Sequence, residues 1–520
     1  GECAVGQVSA EDLQLAQAIS DLNYTNPFLP ERLEREQLVL GTAFEPEPDS
    51  YWSLTPTQVS QRRPNLIRIL ARARETAERM RRQLQDSRRR DAELVRLYDE
   101  LTVYVLFYEV FDERLKCRAG GLEKQIADRK VWNHFSAEFD RRMQIPDLLL
   151  PSASQKLELF ELFHQVLRAF FNIFDCVIGR SAPAARLRAR VWQSIFTHDM
   201  RRYRRSLMKS WQNATTLITG PSGSGKDLVA QAVGLSRRIP FDPESRRFAV
   251  QPEEVWFAVN VSAFSTGLVE SELFGHAKGA YTDAATAREG WLEACGPWGA
   301  VLLDEIGELD PATQVKLLRV LQNRQFQRLG ETKIRQFEGR IIAATNRDLR
   351  REIESGRFRE DLYYRLCADI IETPSLAAQT ADNPDMLSDL VQQIAGRICP
   401  DEQNALATEV LTWIQRSLPS DYHWPGNIRE LEQCVRNVLI SGSYVPAQQQ
   451  SAELNGQFPA ELLPVFQGMT ALSMTADEVL AYYCRYAYRR TASFERAAKL
   501  LQLDRRTVRA RADQALPTDN

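Results

Sequence analysis

Two stretches hold residues whose types and spacing could handle phosphate. In TLITGPSGSGKDLVAQAV, residues 216–233, an apolar strand runs into a glycine-rich loop and then into the start of a helix. Gly220, Gly225 and Lys226 stand at the G-x-x-x-x-G-K spacing of a phosphate-binding loop, filled by Pro221, Ser222, Gly223 and Ser224. Small residues let the backbone wrap a polyphosphate, whose charge then faces the loop N–H groups and the helix N-terminus. Lys226 would add a point charge near the β- and γ-phosphates. Asp227 stands where a generic loop of this kind has a Ser or Thr hydroxyl for magnesium. The second stretch, GAVLLDEI (299–306), is a hydrophobic strand ending in Asp304 and Glu305. The first acid suits Mg2+ and the second suits polarising an attacking water.

Two further segments could complete such a site. IIAATN (341–346) ends in Thr345 and Asn346, which would face the crevice beyond the strand C-termini where doubly wound sheets bind ligands. FREDLYYRL (358–366) carries Arg359 and Arg365. These are either solvated surface or, in an oligomer, groups reaching a neighbour's phosphate, where a trans arginine can contribute ~10³–10⁵ in rate.

These residues need a scaffold. TTLITG, VWFAVNV, GAVLLDEI and GRIIAATN alternate with helical stretches between 214 and 350. Apolar strands of this kind suit a parallel sheet buried on both faces. Residues 385–440 read as helical, 441–470 as a linker rich in Ser, Gly, Gln and Pro, and 473–515 as a last helical segment. Residues 1–60 read as irregular, broken by Pro27, Pro30, Pro46, Pro48 and Pro56. Leu66, Leu70, Ala73, Ala77, Met80 and Leu84, then Leu94, Leu97, Leu101, Val105, Tyr108 and Phe111, recur at helical spacing. They predict one long helix or two in line, in coiled-coil or bundle packing. Amphipathic helices are also expected over 122–142 and 154–178, with His164 of the second as a packed or surface histidine rather than a ligand. No catalytic constellation stands out in this helical region.

Bulk properties narrow the class. The chain has 520 residues, 44% hydrophobic and 26% charged, with a net charge of −3, as an ordinary globular protein of about three domains would. Its eight cysteines form no C-x-x-C pair, which argues against a zinc or redox motif and suits a reducing compartment. LTVYVLFYEVF (101–111) is too short to span a membrane and contains Glu109. The expectation is a cytoplasmic protein with no membrane partner.

SFERAAKLLQLDRRTVRARADQAL (493–516) has helix–turn–helix spacing. Ala497, Ala498, Leu500 and Leu501 would pack the first helix, Leu503 would sit in the turn, Asp504 would cap the second helix and Val508 would anchor it. That helix would expose Arg505, Arg506, Thr507, Arg509 and Arg511. Nine basic residues against two acids between 485 and 511 suit phosphate contacts and major-groove readout of double-stranded DNA.

The blocks ESELFGHAKGAYTDA (270–284), LDEIGELDPATQVKLLRVLQ (303–322), AATNRDL (343–349), FREDLYYRL and WPGNIRELE (424–432) resemble the AAA+ domain of sigma-54-dependent transcription activators, the bacterial enhancer-binding proteins. The resemblance runs in order over about 178–440. It implies ATP with Mg2+, a ring of copies (a hexamer), sigma-54 RNA polymerase as client and an enhancer-like DNA site. The C-terminal segment resembles the Fis-type reader that partners this class. By motif position, Gly220, Gly225 and Lys226 cradle phosphates, and the family's acid after that lysine is here Asp227. Asp304 and Glu305 serve Mg2+ and water. Asn260, in FAVNVSAF, restrains the glutamate. Thr345 and Asn346 are the first sensor, Arg429 the second, and Arg359 and Arg365 the trans-acting pair. Ile178 and Gly179 pack on adenine. The family's G-A-F-T-G-A loop, which engages sigma-54, is here Gly279, Ala280, Tyr281, Thr282, Asp283 and Ala284. Asp283 replaces a glycine and adds charge, although Asp tolerates left-handed backbone better than most residues.

Two departures from the family stand out. Residues 237–256 are longer than usual. The basic stretch 193–210 extends the region before the P-loop strand, either contacting the N-terminal region or a neighbour, or lying solvated. The resulting reading is an α/β AAA+ core, a P-loop parallel sheet with a helical lid, joined to an all-α N-terminal domain and a C-terminal helix–turn–helix. The expected division is a regulatory domain 1–175, ATPase subdomain 176–375, lid 376–442, linker 443–470 and DNA-binding domain 471–520. The alternative is a DNA-bound AAA+ ATPase with another client, or a regulator independent of sigma-54.

Overall fold

The computed structural model describes residues 8–46, 64–86, 90–119, 124–281, 284, 286–446, 465, 468–469 and 474–513. The chain divides into two compact units, Gly1–Arg436 and Asn437–Asn520. Most of the expected linker 443–470 lies outside the described residues.

The first unit opens with helices where an irregular start is expected. Ser9 and Asp12 form a reciprocal capping box that starts α1 (Ala10–Asn23). Pro30 immediately precedes α2 (Glu31–Leu40). Pro27 and Pro30 thus lie between helices, where a missing N–H breaks no helical bond. Next come α3 (Pro64–Gln85) and α4 (Ala92–Ala119). They fold back on each other instead of running in line, so Leu70, Ala77 and Leu84 share a core with Leu94, Leu101 and Val105. Arg90 fixes the reversal by donating to the carbonyl oxygens of Leu84 at 2.8 Å and Pro146 at 2.7 Å. The expected helices at 122–142 and 154–178 are α5 (Lys124–Met143) and α6 (Lys156–Cys176).

After α7 (Ala182–Phe196), the basic stretch makes a short helical turn and a π-helical turn, Tyr203–Leu207. It docks on the N-terminal helices. Arg201 donates to Asp21 at 2.7 Å and to Ser20 Oγ at 2.8 Å, while Arg204 donates to the Tyr24 hydroxyl at 2.8 Å.

The α/β region begins with β1 (Thr216–Thr219), which leads through the glycine loop into α8 (Lys226–Gly234). A hairpin, β2 (Phe241–Asp242) and β3 (Arg247–Phe248), precedes β4 (Trp256–Asn260). Then come α9 (Thr266–Phe274), β5 (Ala300–Asp304) and α10 (Pro311–Asn323). A second hairpin, β6 (Gln325–Phe326) and β7 (Arg335–Gln336), leads to β8 (Arg340–Thr345), α11 (Glu360–Leu366) and β9 (Asp369–Glu372). The main sheet has order β4-β5-β8-β1-β9, with every pairing parallel. β9 is the strand the sequence pattern does not announce. It is a four-residue edge strand, alternately buried and exposed, so it lacks the continuous apolar run of β5 and β8.

The helical bundle and the sheet are interlocked. The long insertion 237–256 supplies the β2–β3 hairpin, whose Phe241 is buried in the bundle core with ring centroids 4.7 Å from Phe160 and 5.1 Å from Trp132. In return, Phe28 of the N-terminal region is buried in the core shared by β1, β8 and α8. Ala169 and Ile173 of α6 pack in that same core with Val229 and Val233 of the helix that follows the glycine loop. Buried Glu161 ties the seam, accepting from Arg238 Nε at 2.8 Å and from the Phe241 N–H at 2.9 Å. His164 is buried, with Nδ1 2.9 Å from the Phe160 carbonyl and Nε2 3.1 Å from Arg114 Nε, as a packed histidine should be.

Four helices form the lid: α12 (Leu376–Asp382), α13 (Asp385–Ile398), α14 (Gln403–Ser417) and α15 (Asn427–Ser441). The second unit contains α16 (Ala476–Thr491), α17 (Phe494–Leu501) and α18 (Arg505–Ala512) around Cys484, Ala497, Ala498 and Val508. Among the described residues, no helix is long and apolar enough to cross a membrane.

Candidate functional site

Strand register brings the candidate residues to one edge of the sheet. β1 and β8 pair Thr219 with Thr345, and β4 and β5 pair Asn260 with Asp304. The glycine loop, Asp304 and Thr345 therefore lie at the C-terminal ends of neighbouring parallel strands, where such sheets bind ligands.

Gly220 and Gly223 have φ of 147° and 74°. A side chain at Gly220 would collide with Thr373, and one at Gly223 with the Gly426 carbonyl. Gly225, with φ 86°, ends the loop at the start of α8. Ser224 Oγ lies 2.7 Å from Thr373 Oγ1 and donates to the Pro221 carbonyl at 2.7 Å. Lys226 Nζ donates to the carbonyl oxygens of Gly220 and Pro221, both at 3.1 Å. Burial lowers its ammonium pKa, with Glu305 and Asp304 opposing the shift. Asp227 is exposed in the first turn of α8, where a carboxylate suits the helix dipole.

Asp304 is partly buried and accepts the Glu305 N–H at 3.0 Å. Burial, and then the neighbouring Glu305 charge, push its carboxyl above the ordinary aspartate range. Glu305 itself takes a left-handed backbone, φ 56°, a conformation that costs a non-glycine residue about 1–3 kcal/mol. Its carboxylate accepts the Asn346 backbone N–H at 3.3 Å. Asn260 Oδ1 accepts the Ser262 N–H at 3.0 Å and the Ser262 hydroxyl at 2.6 Å, capping the next turn. Thr345 is buried and accepts the Arg347 N–H at 3.1 Å, while the Asn346 side chain is exposed.

The lid supplies Arg429, whose Nη1 donates to Ser222 Oγ at 3.1 Å. Ile178 is half-buried, and Gly179, with φ 114°, packs so tightly on Met386 of α13 that a Cβ there would strike its sulfur. Buried Arg188 of α7 holds this segment by donating to the Val177 carbonyl at 2.9 Å and to that of Gly179. Burial lowers its guanidinium to about 10. Arg188 and Thr373 carried no sequence signal, because each lies outside the recognisable blocks. Arg359 and Arg365 are exposed on or beside α11. Arg359 pairs with Asp361 at 2.8 Å, and no hydrogen bond or ion pair among the described residues joins either arginine to the glycine loop.

The donor chemistry fits a divalent cation. A carboxyl whose pKa is raised by a neighbouring acid is relieved when a cation binds, and Asp304 is the residue placed to hold one. Among the described residues, no group of three or more acidic, His or Cys side chains forms a ready-made cage. Phosphate oxygens and water would then complete a Mg2+ shell, as in other nucleotide sites.

The described ends of the 279–284 segment are hydrogen-bonded to each other. Gly279 donates its N–H to the Ala284 carbonyl at 2.9 Å, and Ala284 donates to the Tyr281 carbonyl at 3.0 Å. Tyr281 is 41% exposed, and its ring stands edge-on to His276 at 5.1 Å. His276 braces the base, with Nδ1 2.8 Å from Ser271 Oγ and Nε2 3.0 Å from the Thr286 carbonyl. Ala280 stands close to Gly330, where an added Cβ would lie 2.9 Å from its own. Thr282 and Asp283 lie outside the described residues.

In the second unit, Asp504 caps α18, accepting the Arg506 N–H at 2.8 Å, and Gln502 takes the left-handed turn position with φ 54°. Arg505, Arg506, Thr507 and Arg509 are exposed. Two expectations change. Leu500 is 70% exposed and does not pack the first helix. Arg511 turns back to α16 and pairs with Asp477 at 2.8 Å.

The fold and site together define a P-loop ATPase module of the AAA+ class, with a parallel sheet and a helical lid. Residues 195–372 match the model of the Sigma-54 interaction domain. The transcriptional regulatory protein ZraR of Escherichia coli K12 is 43% identical over 235 residues, 45% of this chain and 49% of that one. The Nif-specific regulatory protein of Azotobacter vinelandii is 39% identical over 304 residues, 56% of this chain and 54% of its own. The transcriptional regulatory protein GlrR of E. coli K12 is 35% identical over 305 residues, 57% and 63% respectively. The chain thus spans about half the length of the curated relatives it matches first.

Proposed function

We propose that this chain binds ATP with Mg2+, hydrolyses it within a hexameric ring of its own copies, and uses the energy to open closed complexes of sigma-54 RNA polymerase. The observation that carries the reading is the convergence of Lys226, Asp304 and Glu305 at one sheet edge, inside the region that matches the Sigma-54 interaction domain. Residues 220–227 receive the phosphates, and Asp304 holds Mg2+, which neutralises phosphate charge when bound. Glu305 polarises the attacking water. Thr345, Asn346 and Arg429 respond to the γ-phosphate, while Ile178 and Gly179 bound the adenine pocket. Asn260 restrains Glu305 through its Nδ2, while its Oδ1 holds the cap to Ser262. Arg359 and Arg365 are exposed, in keeping with a trans role at a neighbour's nucleotide.

The 279–284 segment presents Tyr281 to sigma-54, and Arg505, Arg506, Thr507 and Arg509 meet double-stranded DNA. Residues 1–175 act as a regulatory region, 176–375 with 376–442 as the ATPase and its lid, and 471–520 as the DNA reader, all in the cytoplasm. The test is open-complex formation by sigma-54 polymerase on a promoter carrying the chain's binding site. Opening that requires hydrolysable ATP is expected. Active hydrolysis with no opening and no sigma-54 binding would assign the energy to a different client.

A further inference from the structure

Asn427 sits at a junction beside the residues assigned to the nucleotide and is not one of them. It is 3% exposed and holds a left-handed backbone, φ 53°, at the first position of α15. Asparagine tolerates that conformation better than most residues, and its amide offers both donors and an acceptor. All three segments that meet there use it. Nδ2 donates to the Ser222 carbonyl in the glycine loop at 2.9 Å and to the Pro425 carbonyl at 3.4 Å. Oδ1 accepts the N–H of Leu376, the first residue of α12, at 2.8 Å. The partners fix the amide's orientation, since a backbone N–H only donates and carbonyls only accept.

Neighbouring contacts continue the joint. The Ile428 N–H donates to the Gly223 carbonyl at 2.9 Å. Gly223 packs so closely on the Gly426 carbonyl that a side chain at 223 would collide with it. Arg429, one turn-residue further, reaches Ser222 Oγ. The crown of the glycine loop, Ser222 and Gly223, is therefore bound by the lid, while Lys226 Nζ bonds the carbonyl oxygens of Gly220 and Pro221.

We propose that Asn427 is a positioning residue coupling the glycine loop to the lid, joining the loop crown and the starts of α12 and α15 into one body. Nucleotide in the loop is then transmitted to the lid through the Ser222 carbonyl, and Arg429 is held at the loop's rim. The inference rests on the reading of the loop as an ATP site. Asn427 touches no phosphate in this scheme and acts only through the backbone it holds.

The test uses the full chain and two variants. Asn427→Gly keeps the left-handed backbone and deletes every amide bond. Asn427→Asp keeps an acceptor for Leu376 and places a carboxylate oxygen against the Ser222 carbonyl. Hydrogen exchange is followed with and without a non-hydrolysable ATP analogue, alongside kcat and KM. In the wild type, nucleotide should slow exchange in the glycine loop and in α12 and α15 together. In the variants, slowing should persist in the loop and vanish from the two helices. KM for ATP should rise about tenfold, more than kcat falls, as loss of a preorganising hydrogen bond implies. Nucleotide-dependent protection of α12 and α15 that survives in either folded variant overturns the proposal. If Asn427→Gly does not fold, Asn427→Asp carries the test because it retains the Leu376 bond. A wild-type chain that binds no ATP overturns the underlying site reading, an outcome distinct from unchanged coupling in a chain that binds it.

Discussion

The Glu305 carboxylate and the Asn346 backbone N–H are 3.3 Å apart, bridging the ends of β5 and β8. The acid proposed to polarise water is thus held by the strand proposed to sense phosphate. Glu305→Gln should reduce hydrolysis about 10²–10⁴-fold, the usual range for a lost general base, while leaving ATP binding measurable. Lys226→Ala should lose the binding itself. Phosphate release and nucleotide titration separate the two outcomes, and normal turnover in either variant would remove the site assignment.

Asp304 makes the site sensitive to pH. Burial and the Glu305 charge raise its folded pKa above the unfolded value. An acid shifted this way binds more protons when folded, so it lowers stability as pH rises through that window and the loss is relieved as pH falls. Asp304→Asn should therefore melt higher than the wild type at neutral pH, with the gap closing in acid, and should not hydrolyse ATP. Mg·ATP binding in the wild type should release protons and weaken as pH falls through the same window. Melting curves and calorimetry in buffers of different ionisation heat check both signs.

The seam between bundle and sheet should be energetically uneven. Glu161 and Arg238 have side chains only 3% and 12% exposed, and Glu161 also holds the Phe241 N–H. Removing one partner of such a pair costs about 3–5 kcal/mol, so Glu161→Ala should lower the urea midpoint strongly. Arg201, 42% exposed in its pair with Asp21, should cost about 1 kcal/mol or less when changed to Ala. Equal losses would contradict the burial argument.

Arg359 tests assembly. Its contact with Asp361 is an exposed pair that does not reach the chain's own glycine loop. Arg359→Ala alone should lose hydrolysis. Mixed with Lys226→Ala, it should recover part of it, because some interfaces then combine an intact loop with an intact arginine. Failure of mixing to restore any activity, in rings shown to exchange subunits, would argue against action across subunits.

The DNA reading separates neighbouring arginines. Arg505→Ala should weaken DNA binding across sequences and reduce the salt slope by about one, as loss of a phosphate contact does. Arg511→Ala should instead break the Asp477 pair and change DNA affinity little. Binding measured across a salt series distinguishes them.

Much of the nucleotide site was legible because its chemistry is local. The G-x-x-x-x-G-K loop and the strand ending in Asp304 and Glu305 need particular residues at fixed spacing, since a short loop must reach unusual dihedrals and a strand must end where ligands bind. Other elements were misread for equally local reasons. Pro27 and Pro30 resemble helix breakers until α1 and α2 are seen on either side of them. Edge strand β9 lacks the apolar run that marks its buried neighbours.

By itself, the chain's order of residues determined the phosphate-binding chemistry, the parallel sheet that carries it and the basic helix pair at its end. Those features are written in spacing, periodicity and charge within short windows. Tertiary structure alone decided that Asn260 caps Ser262, that Arg511 is spent on Asp477, and that Asn427 grips Ser222 from 205 residues away. A polar side chain's partner is set by where packing brings distant backbone, and no local pattern encodes that distance.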